Sequence, residues 1–312
     1  MTILKTIDLD GFGKKHSGKV RDFYVKDDKR ILITTDRVSA FDAIIGYIPH
    51  KGAVLNLLSQ FWFEQTRDIV QNHMIEVPDP NVIIGKNCKP IHIEMVVRGY
   101  ITGVTGTSIW GSYEKGERLI YGIPFPDGLK KNQKLPAPVI TPTTKADIGH
   151  DERLTRDQII DLKLVDISLY EQMEQAALAL FKRGTDICEK AGIILVDTKY
   201  EFGVYNGKLM LIDEVHTPDS SRFWIKGTYK QKLSSGEEPE NFDKEFLRKW
   251  LKEQGYSGEG TPPQLSKEIT KLLSQRYRDI YEKITGEAFS VDETENIEDR
   301  IKRNLEKLHL SS

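Results

Sequence analysis

Asp197, Lys199 and Glu201 alternate in the run IILVDTKYEF, so in an extended strand all three side chains leave one face. Thr198, Tyr200 and Phe202 take the other. A charged face beside an apolar run is costly to bury unless something compensates it. Two carboxylates around a divalent cation, with a lysine alongside, would compensate, and Mg²⁺ is commonly held against nucleotide phosphates in this way. The second carboxylate is expected from Asp213-Glu214, on the run KLMLIDEV that returns after Asn206-Gly207. Turn length decides whether Glu201 and Asp213 can meet. A two-residue turn pairs Tyr205 with Lys208 and sends the two carboxylates to opposite faces. A three-residue loop, Tyr205 to Gly207, pairs Val204 with Lys208 and puts both on one face. The three-residue loop is therefore the expectation. Without a cation the same pattern is a salt-bridged, exposed strand face.

Two further stretches carry anion-binding chemistry. Gly13-Lys-Lys-His-Ser-Gly18-Lys19-Val20 has the spacing of a phosphate loop but places Val20 where a hydroxyl should hold Mg²⁺. It also leads into VRDFYV, a strand-like run, whereas a phosphate loop opens a helix. The Walker reading is rejected. A glycine-rich turn between strands, lying over a nucleotide, remains open, with Lys19 and Arg21 alternating onto one face toward the phosphates. The other stretch gathers Arg98, Gly99, Thr102-Gly103, Thr105-Gly106-Thr107-Ser108, Lys130, Lys131 and Lys145, with Asp219-Ser220-Ser221-Arg222 repeating the theme later. Glycines admit close backbone approach, hydroxyls donate, and an arginine fork suits phosphate or carboxylate. The seven histidines show no ligand spacing such as HExxH, and no serine or cysteine nucleophile pairs with a histidine.

These groups need elements to position them. VRDFYV and RILITT around Lys26–Arg30 read as a hairpin, and a helix follows Lys51-Gly52. Segments 74–84 and 90–97 read as strands, and Gly99 to Ala146 as mostly loop. From Ser168 an apolar stripe through Leu169, Met173, Ala176, Ala177, Leu180, Phe181, Ile187, Cys188 and Ala191 predicts a long helix stopped by Gly192. The hairpin around Asn206-Gly207 follows, and beyond Gly227 the pattern turns to packing helices. With 312 residues, one large domain or two small ones are expected. The 45 Lys+Arg nearly balance 47 Asp+Glu, which argues against a nucleic-acid binder. No apolar run reaches a membrane helix's length, and the first residues lack a signal peptide's apolar core. Cys88 and Cys188 form no CxxC pair, so buried thiols in a reducing compartment, the cytoplasm, are expected.

The runs SGKVRDFY, TDRVSAFD, EMVVRGYITG, GLKKNQKLP, ITPTTKAD, VDTKYEFG and DEVHTPDSSRFW, in this order, resemble the phosphoribosylaminoimidazole-succinocarboxamide synthase (SAICAR synthetase) family of purine biosynthesis. The likeness runs from about Ser17 to Trp224 and continues more weakly through the C-terminal helices. The family has serine directly after the Thr-Gly of its R-x3-T-G run. Here Val104 follows Thr102-Gly103, and the next Thr-Gly leads to Thr107-Ser108, which reads as a short insertion, so the resemblance implies Ser108 as the expected substrate-contacting hydroxyl.

The resemblance implies an α+β fold, with a small β-rich N-terminal lobe (1–95), a larger mixed lobe with C-terminal helices (96–312), and the nucleotide in the cleft. It implies ligation of 5-amino-1-(5-phospho-D-ribosyl)imidazole-4-carboxylate to L-aspartate with ATP and Mg²⁺. Gly18, Lys19 and Arg21 would meet ATP phosphates, Lys131 would reach ATP, and adenine would lie beside backbone groups near Glu94 and Met95. Glu201 and Asp213 would hold Mg²⁺, with Lys199 beside them. Arg98, Ser108, Lys199 and Arg222 would hold the ribotide's phosphate and carboxylate, and Asp197 its amine or hydroxyls. The aspartate site is expected near Ser39 and the 36–42 loop. Neither nucleic acid nor membrane is an expected partner. A small-molecule kinase using the same turn and carboxylates is the rival enzyme, and a nucleotide- or ribotide-binding regulator the rival without turnover.

Overall fold

The computed structural model describes residues 2–104, 106–145, 151–242, 244–292 and 294–308. Thr105 and Ala146, the last residue of the run ITPTTKAD (Asp147) and two of the seven histidines (His150 and His309) lie outside them. The chain opens with β1 (Lys15–Ser17), β2 (Arg21–Lys26) and β3 (Lys29–Thr34), an antiparallel meander whose second turn places Asp27 at φ 54°. β4 (Arg37–Ala40) and β5 (Ala43–Tyr47) make a separate ribbon, and α1 (Lys51–Gln65) follows. β6 (Met74–Asp79) and β7 (Val82–Lys86) then complete a first sheet in the order β1-β2-β3-β7-β6.

The long strand β8 (Lys89–Ile101) leads into the second part of the molecule. After α2 (Ile109–Glu114), β9 (Leu119–Ile120) and β10 (Ile123–Pro124) come β11 (Gln133–Ile140), β12 (Thr143–Thr144) and α3 (Arg156–Asp161). The long helix α4 (Ile167–Lys190) is followed by β13 (Ile193–Tyr205), β14 (Lys208–Ile212) and β15 (Ser221–Ile225). The second sheet runs β11-β8-β13-β14, with β12 also on β8 and β15 also on β13. Helices α5 (Lys226–Ser235), α6 (Glu245–Glu253), α7 (Lys267–Thr285) and α8 (Ile297–Glu306) close the chain.

Local sequence explains the elements that matter most. Asp166 caps α4 by accepting from Ser168 N at 2.9 Å, and Gly192 takes the left-handed conformation just past its end. The helix buries Tyr170, Met173, Ala177, Leu180 and Phe181 against the sheet. At Gly184 a Cβ would lie 2.4 Å from the His216 ring, so a glycine is what lets helix and strand layer close. The middle of the chain is more ordered than the expected loop: α2 and the eight-residue β11 lie inside it. Pro136 and Pro138 hide β11 in the sequence, and its pairing with β8 is interrupted between Lys134 and Val139.

The turn at Asn206-Gly207 has two residues, not three. Tyr205 pairs with Lys208, and Asn206 and Gly207 both have positive φ, 50° and 73°. Asparagine tolerates the left-handed region, so the pair satisfies both central positions of a type I′ turn without a bulge.

The apolar interior divides differently from the expected boundary at residue 95. One large cluster joins Val38, Ile45 and α1 to α4, the second sheet and α7. A second cluster joins Leu4, Ile7, Leu9 and Phe12 to the first sheet and to Ile301 and Leu305 of α8. The last helix, expected with the larger lobe, thus packs on the N-terminal sheet. Among the described residues, no helix is long and apolar enough to cross a membrane.

Candidate active site

β13 lies between β8 and β14, and its charged face organises the site. Glu201 stands directly across from Glu94 on β8, and Asp197 across from Arg98. Lys199 bridges the first pair, donating from Nζ to Glu94 Oε1 at 2.5 Å and to Glu201 Oε1 at 2.8 Å. Lys145 donates to the other Glu201 oxygen, and Thr143 Oγ1 to Glu94 Oε2 at 3.3 Å. Burial pushes the Glu201 carboxyl up, but the Lys199 and Lys145 ammoniums outweigh it and bring it down to about 2. Glu94 goes the other way. Its burial dominates, Lys199 opposes, Glu201 adds repulsion, and its carboxyl is raised. Burial also works against the Lys199 charge, yet the Glu201 and Glu94 carboxylates hold that ammonium well above its usual range.

The register of the two-residue turn pairs Glu201 with Ile212, which alone would send Asp213 to the opposite face. The strand ends there, however, and Asp213 takes a left-handed φ of 65°. The break in alternation lets Glu201 and Asp213 line one small cavity, together with Lys145, Ile212 and Leu32. The three-residue turn was the wrong route to a juxtaposition that the molecule reaches by another. Arg21 then clamps the acidic pair at the strand end, donating from Nη1 to Asp213 Oδ1 at 3.1 Å and from Nη2 to Glu214 Oε2 at 2.7 Å. Burial raises the Asp213 carboxyl; Arg21 opposes the rise, and Glu201 and Glu214 add to it.

Among the described residues, no three His, Cys, Asp or Glu side chains converge as a metal cage. Two carboxylates on one cavity nevertheless suit Mg²⁺, which keeps several waters and takes the rest of its oxygens from substrate phosphates. The raised Asp213 carboxyl, pressed by two neighbouring acids, is the kind of group a cation would relieve.

The other end of the β13 face is basic. Arg98 is buried; its Nε donates to Thr141 Oγ1 at 2.8 Å, its Nη2 to Thr107 O at 3.1 Å, and its Nη1 lies 3.6 Å from Asp197 Oδ2. Arg222 Nη1 donates to the same Asp197 oxygen at 3.0 Å. Burial lowers the Arg98 guanidinium, Asp197 opposes, and Arg222 adds to the lowering. A Cβ on Gly103, whose φ is 89°, would lie 2.8 Å from Ser108 Cβ and 3.0 Å from Arg222 Nη1. Gly103, Ser108, Arg98, Asp197 and Arg222 therefore meet around one spot. Ser108 also caps α2, its Oγ accepting from Gly111 N at 3.2 Å.

Other expected residues fall elsewhere. Gly18 opens the turn between β1 and β2, its N–H donating to Arg21 O at 2.7 Å and its carbonyl accepting from Arg37 Nη2 at 3.1 Å. Lys19 does not share the Arg21 face: it pairs with Asp42, half exposed, and so ties this turn to the 36–42 loop. Ser39 is buried in β4 within that loop region. Lys131 pairs with Glu238, away from the acidic cluster. Met95 is wholly buried, and β8 has β13 on one side and β11 and β12 on the other. No open backbone edge faces adenine at Glu94 and Met95, because both flanks of the strand are occupied. Lys145 and Glu214 are the site residues that the pattern undervalued. Lys145 was visible only as one of several basic loop residues, and Glu214 was passed over for its neighbour.

The chain is similar to proteins of known identity over nearly its whole length. A sequence model described as SAICAR synthetase matches residues 14–264. A phosphoribosylaminoimidazole-succinocarboxamide synthase of Legionella pneumophila (strain Paris) is 49% identical over 300 residues, covering 95% of this chain and 96% of the relative. A putative one of Agrobacterium fabrum is 48% identical, covering 98% of each. Among solved structures, the SAICAR synthase from Saccharomyces cerevisiae complexed with SAICAR has a TM-score of 0.80 at 33% identity, covering 92% of this chain and all of that one. A type-2 SAICAR synthetase in complex with ADP has a TM-score of 0.68 at 26% identity over 89% of this chain and all of its own. With this α+β architecture, this site and these relatives, the chain belongs to the SAICAR synthetase family.

Proposed function

We infer that this chain joins L-aspartate to the carboxylate of 5-amino-1-(5-phospho-D-ribosyl)imidazole-4-carboxylate, with ATP giving ADP and phosphate, in cytoplasmic de novo purine synthesis. The observation that carries this reading is the order of charges along one face of β13: Asp197 among arginines, then Lys199, then Glu201 beside Asp213. Residues four apart on a strand are separated by about 13 Å. A sugar phosphate held at Arg98, Arg222 and Ser108 can thus extend its ring carboxylate toward Lys199, where the end of a triphosphate steadied at Glu201 and Asp213 would arrive.

The chemistry needs that meeting point. A carboxylate is a poor acyl donor because oxide would have to leave. Attack of its oxygen on the γ-phosphorus breaks the bond to ADP and gives an acyl phosphate. The aspartate amine then attacks the acyl carbon, phosphate leaves and the amine sheds a proton. Phosphoryl transfer of this kind depends on in-line positioning and charge neutralisation. Mg²⁺, held by Glu201 and Asp213, would neutralise charge on the phosphates. Lys199 orients the ring carboxylate, Asp197 accepts from the ribotide's amine or hydroxyls, and Arg21 keeps Asp213 in place. Leu32, Cys88, Pro90 and Ile212 give the same cavity one apolar wall, beside Arg30, His73 and Lys86, against which the base would lie in place of the buried strand at Met95.

The test is a product assay with ¹⁸O in the ring carboxylate. ADP should appear at an appreciable rate only with aspartate present, and the label should pass to inorganic phosphate. ADP release without aspartate would favour a kinase, and unlabelled phosphate would refute carboxyl activation.

A further inference from the structure

We infer that Tyr277, on a helix beyond the region matched by the family model, is a positioning residue for the ligand site, acting through Asp219. This rests on the ligase reading above. Tyr277 OH donates to Asp219 Oδ1 at 2.7 Å, and the buried Lys51 Nζ donates to Asp219 Oδ2 at 2.9 Å. Lys51 Nζ also sits over the Tyr277 ring, 5.6 Å from its centroid. Asp219 is thus gripped by α1 and α7 together, with Lys244 Nζ a further 3.7 Å away.

What Asp219 belongs to gives the grip its consequence. It lies in the turn 217–220, where Thr217 Oγ1 accepts from Asp219 N at 3.2 Å and donates to Glu214 Oε2 at 2.7 Å. Glu214 is the same carboxylate that anchors Arg21. The turn's Ser220 carbonyl accepts from Lys199 N at 3.0 Å, and the turn runs straight into β15, whose second residue is Arg222. One turn therefore touches the clamp on Asp213, the backbone of Lys199 and the strand carrying Arg222. A short charge-assisted hydrogen bond into its carboxylate fixes the turn in place. Displacement of a ligand-holding group by about an ångström is enough to lower catalysis markedly.

Ser274 supplies the control. It lies on the same helix and donates to Pro49 O at 2.8 Å, anchoring α7 without touching the turn. Tyr277→Phe and Ser274→Ala should lower the thermal midpoint comparably. Only Tyr277→Phe should lower kcat/KM for the ribotide, by roughly tenfold. Adding Tyr277→Phe to Asp219→Asn should then change little, since the path runs through that carboxylate. Equal kinetic losses in both single variants, unchanged kinetics in Tyr277→Phe, or additive losses with Asp219→Asn would each overturn the inference. Wild-type protein that forms no succinocarboxamide would overturn the ligase reading and take this inference with it, whereas active wild type with an unaltered Tyr277→Phe overturns this inference alone.

Discussion

At the residue scale, the two carboxylates proposed for the cation are shifted in opposite directions from their ordinary ranges, and this separates their roles. Glu201 is held down to about 2 by its two lysines, while burial and neighbouring acids raise Asp213. A metal binds the ionised form, so lowering the pH should weaken Mg²⁺–nucleotide binding as Asp213 takes up its proton, above the ordinary aspartate range, while Glu201 stays charged. Titrating Mg²⁺ against bound nucleotide from about pH 7 to 4 should show this loss. In Asp213→Asn affinity should be low throughout, and the loss should shrink to the part that protonation of the nucleotide's terminal phosphate causes. At the basic end, Arg222→Lys should raise the ribotide KM by roughly tenfold or more with the fold intact, because a point charge cannot reproduce a planar fork. The row on β13 was legible in the sequence because alternation alone puts its members on one face. The reach of Asp213 was not. It depends on a single left-handed residue at the strand end, and an aspartate announces no such choice.

At the element scale, strong periodicity and paired stop signals were readable and weak ones were not. α4 has a long apolar stripe with a glycine stop, and the Asn-Gly hairpin has its turn residues in place. α3 is six residues long, and its capping box at Thr155 and Gln158 stands in a stretch with no stripe to draw attention to it. For the hairpin, the demand for a shared face led to the wrong turn length, against the plain preference of Asn-Gly. The observed turn makes its own prediction. Asn206→Ala should cost about 1–2 kcal/mol in a denaturant titration, the penalty of an alanine at positive φ, with kcat and KM unchanged. Asn206→Gly should be near neutral.

At the scale of the whole molecule, the chain's last helix is bound to its first sheet by a buried charge network. Arg300 donates from Nε to Asp79 Oδ2 at 2.9 Å and from Nη2 to Asn81 Oδ1 at 2.8 Å, and Asn304 Nδ2 reaches Asp79 Oδ2 at 2.9 Å. Arg300→Met should destabilise the protein by about 3–5 kcal/mol, because it strands a buried carboxylate, and adding Asp79→Asn should restore part of the loss in urea unfolding. No local pattern could have foretold this contact. Its partners are 221 residues apart, and the helix's Ile297, Ile301, Leu305 and Leu308 stripe says only that something covers it.

That arrangement sets the order of events on the ribosome. Leu4, Ile7 and the strands of the first sheet emerge long before Ile301 and Leu305, which seal them. The first sheet must wait, its apolar underside open, until α8 has been made, and any chain cut short before α8 leaves that surface exposed to aggregation.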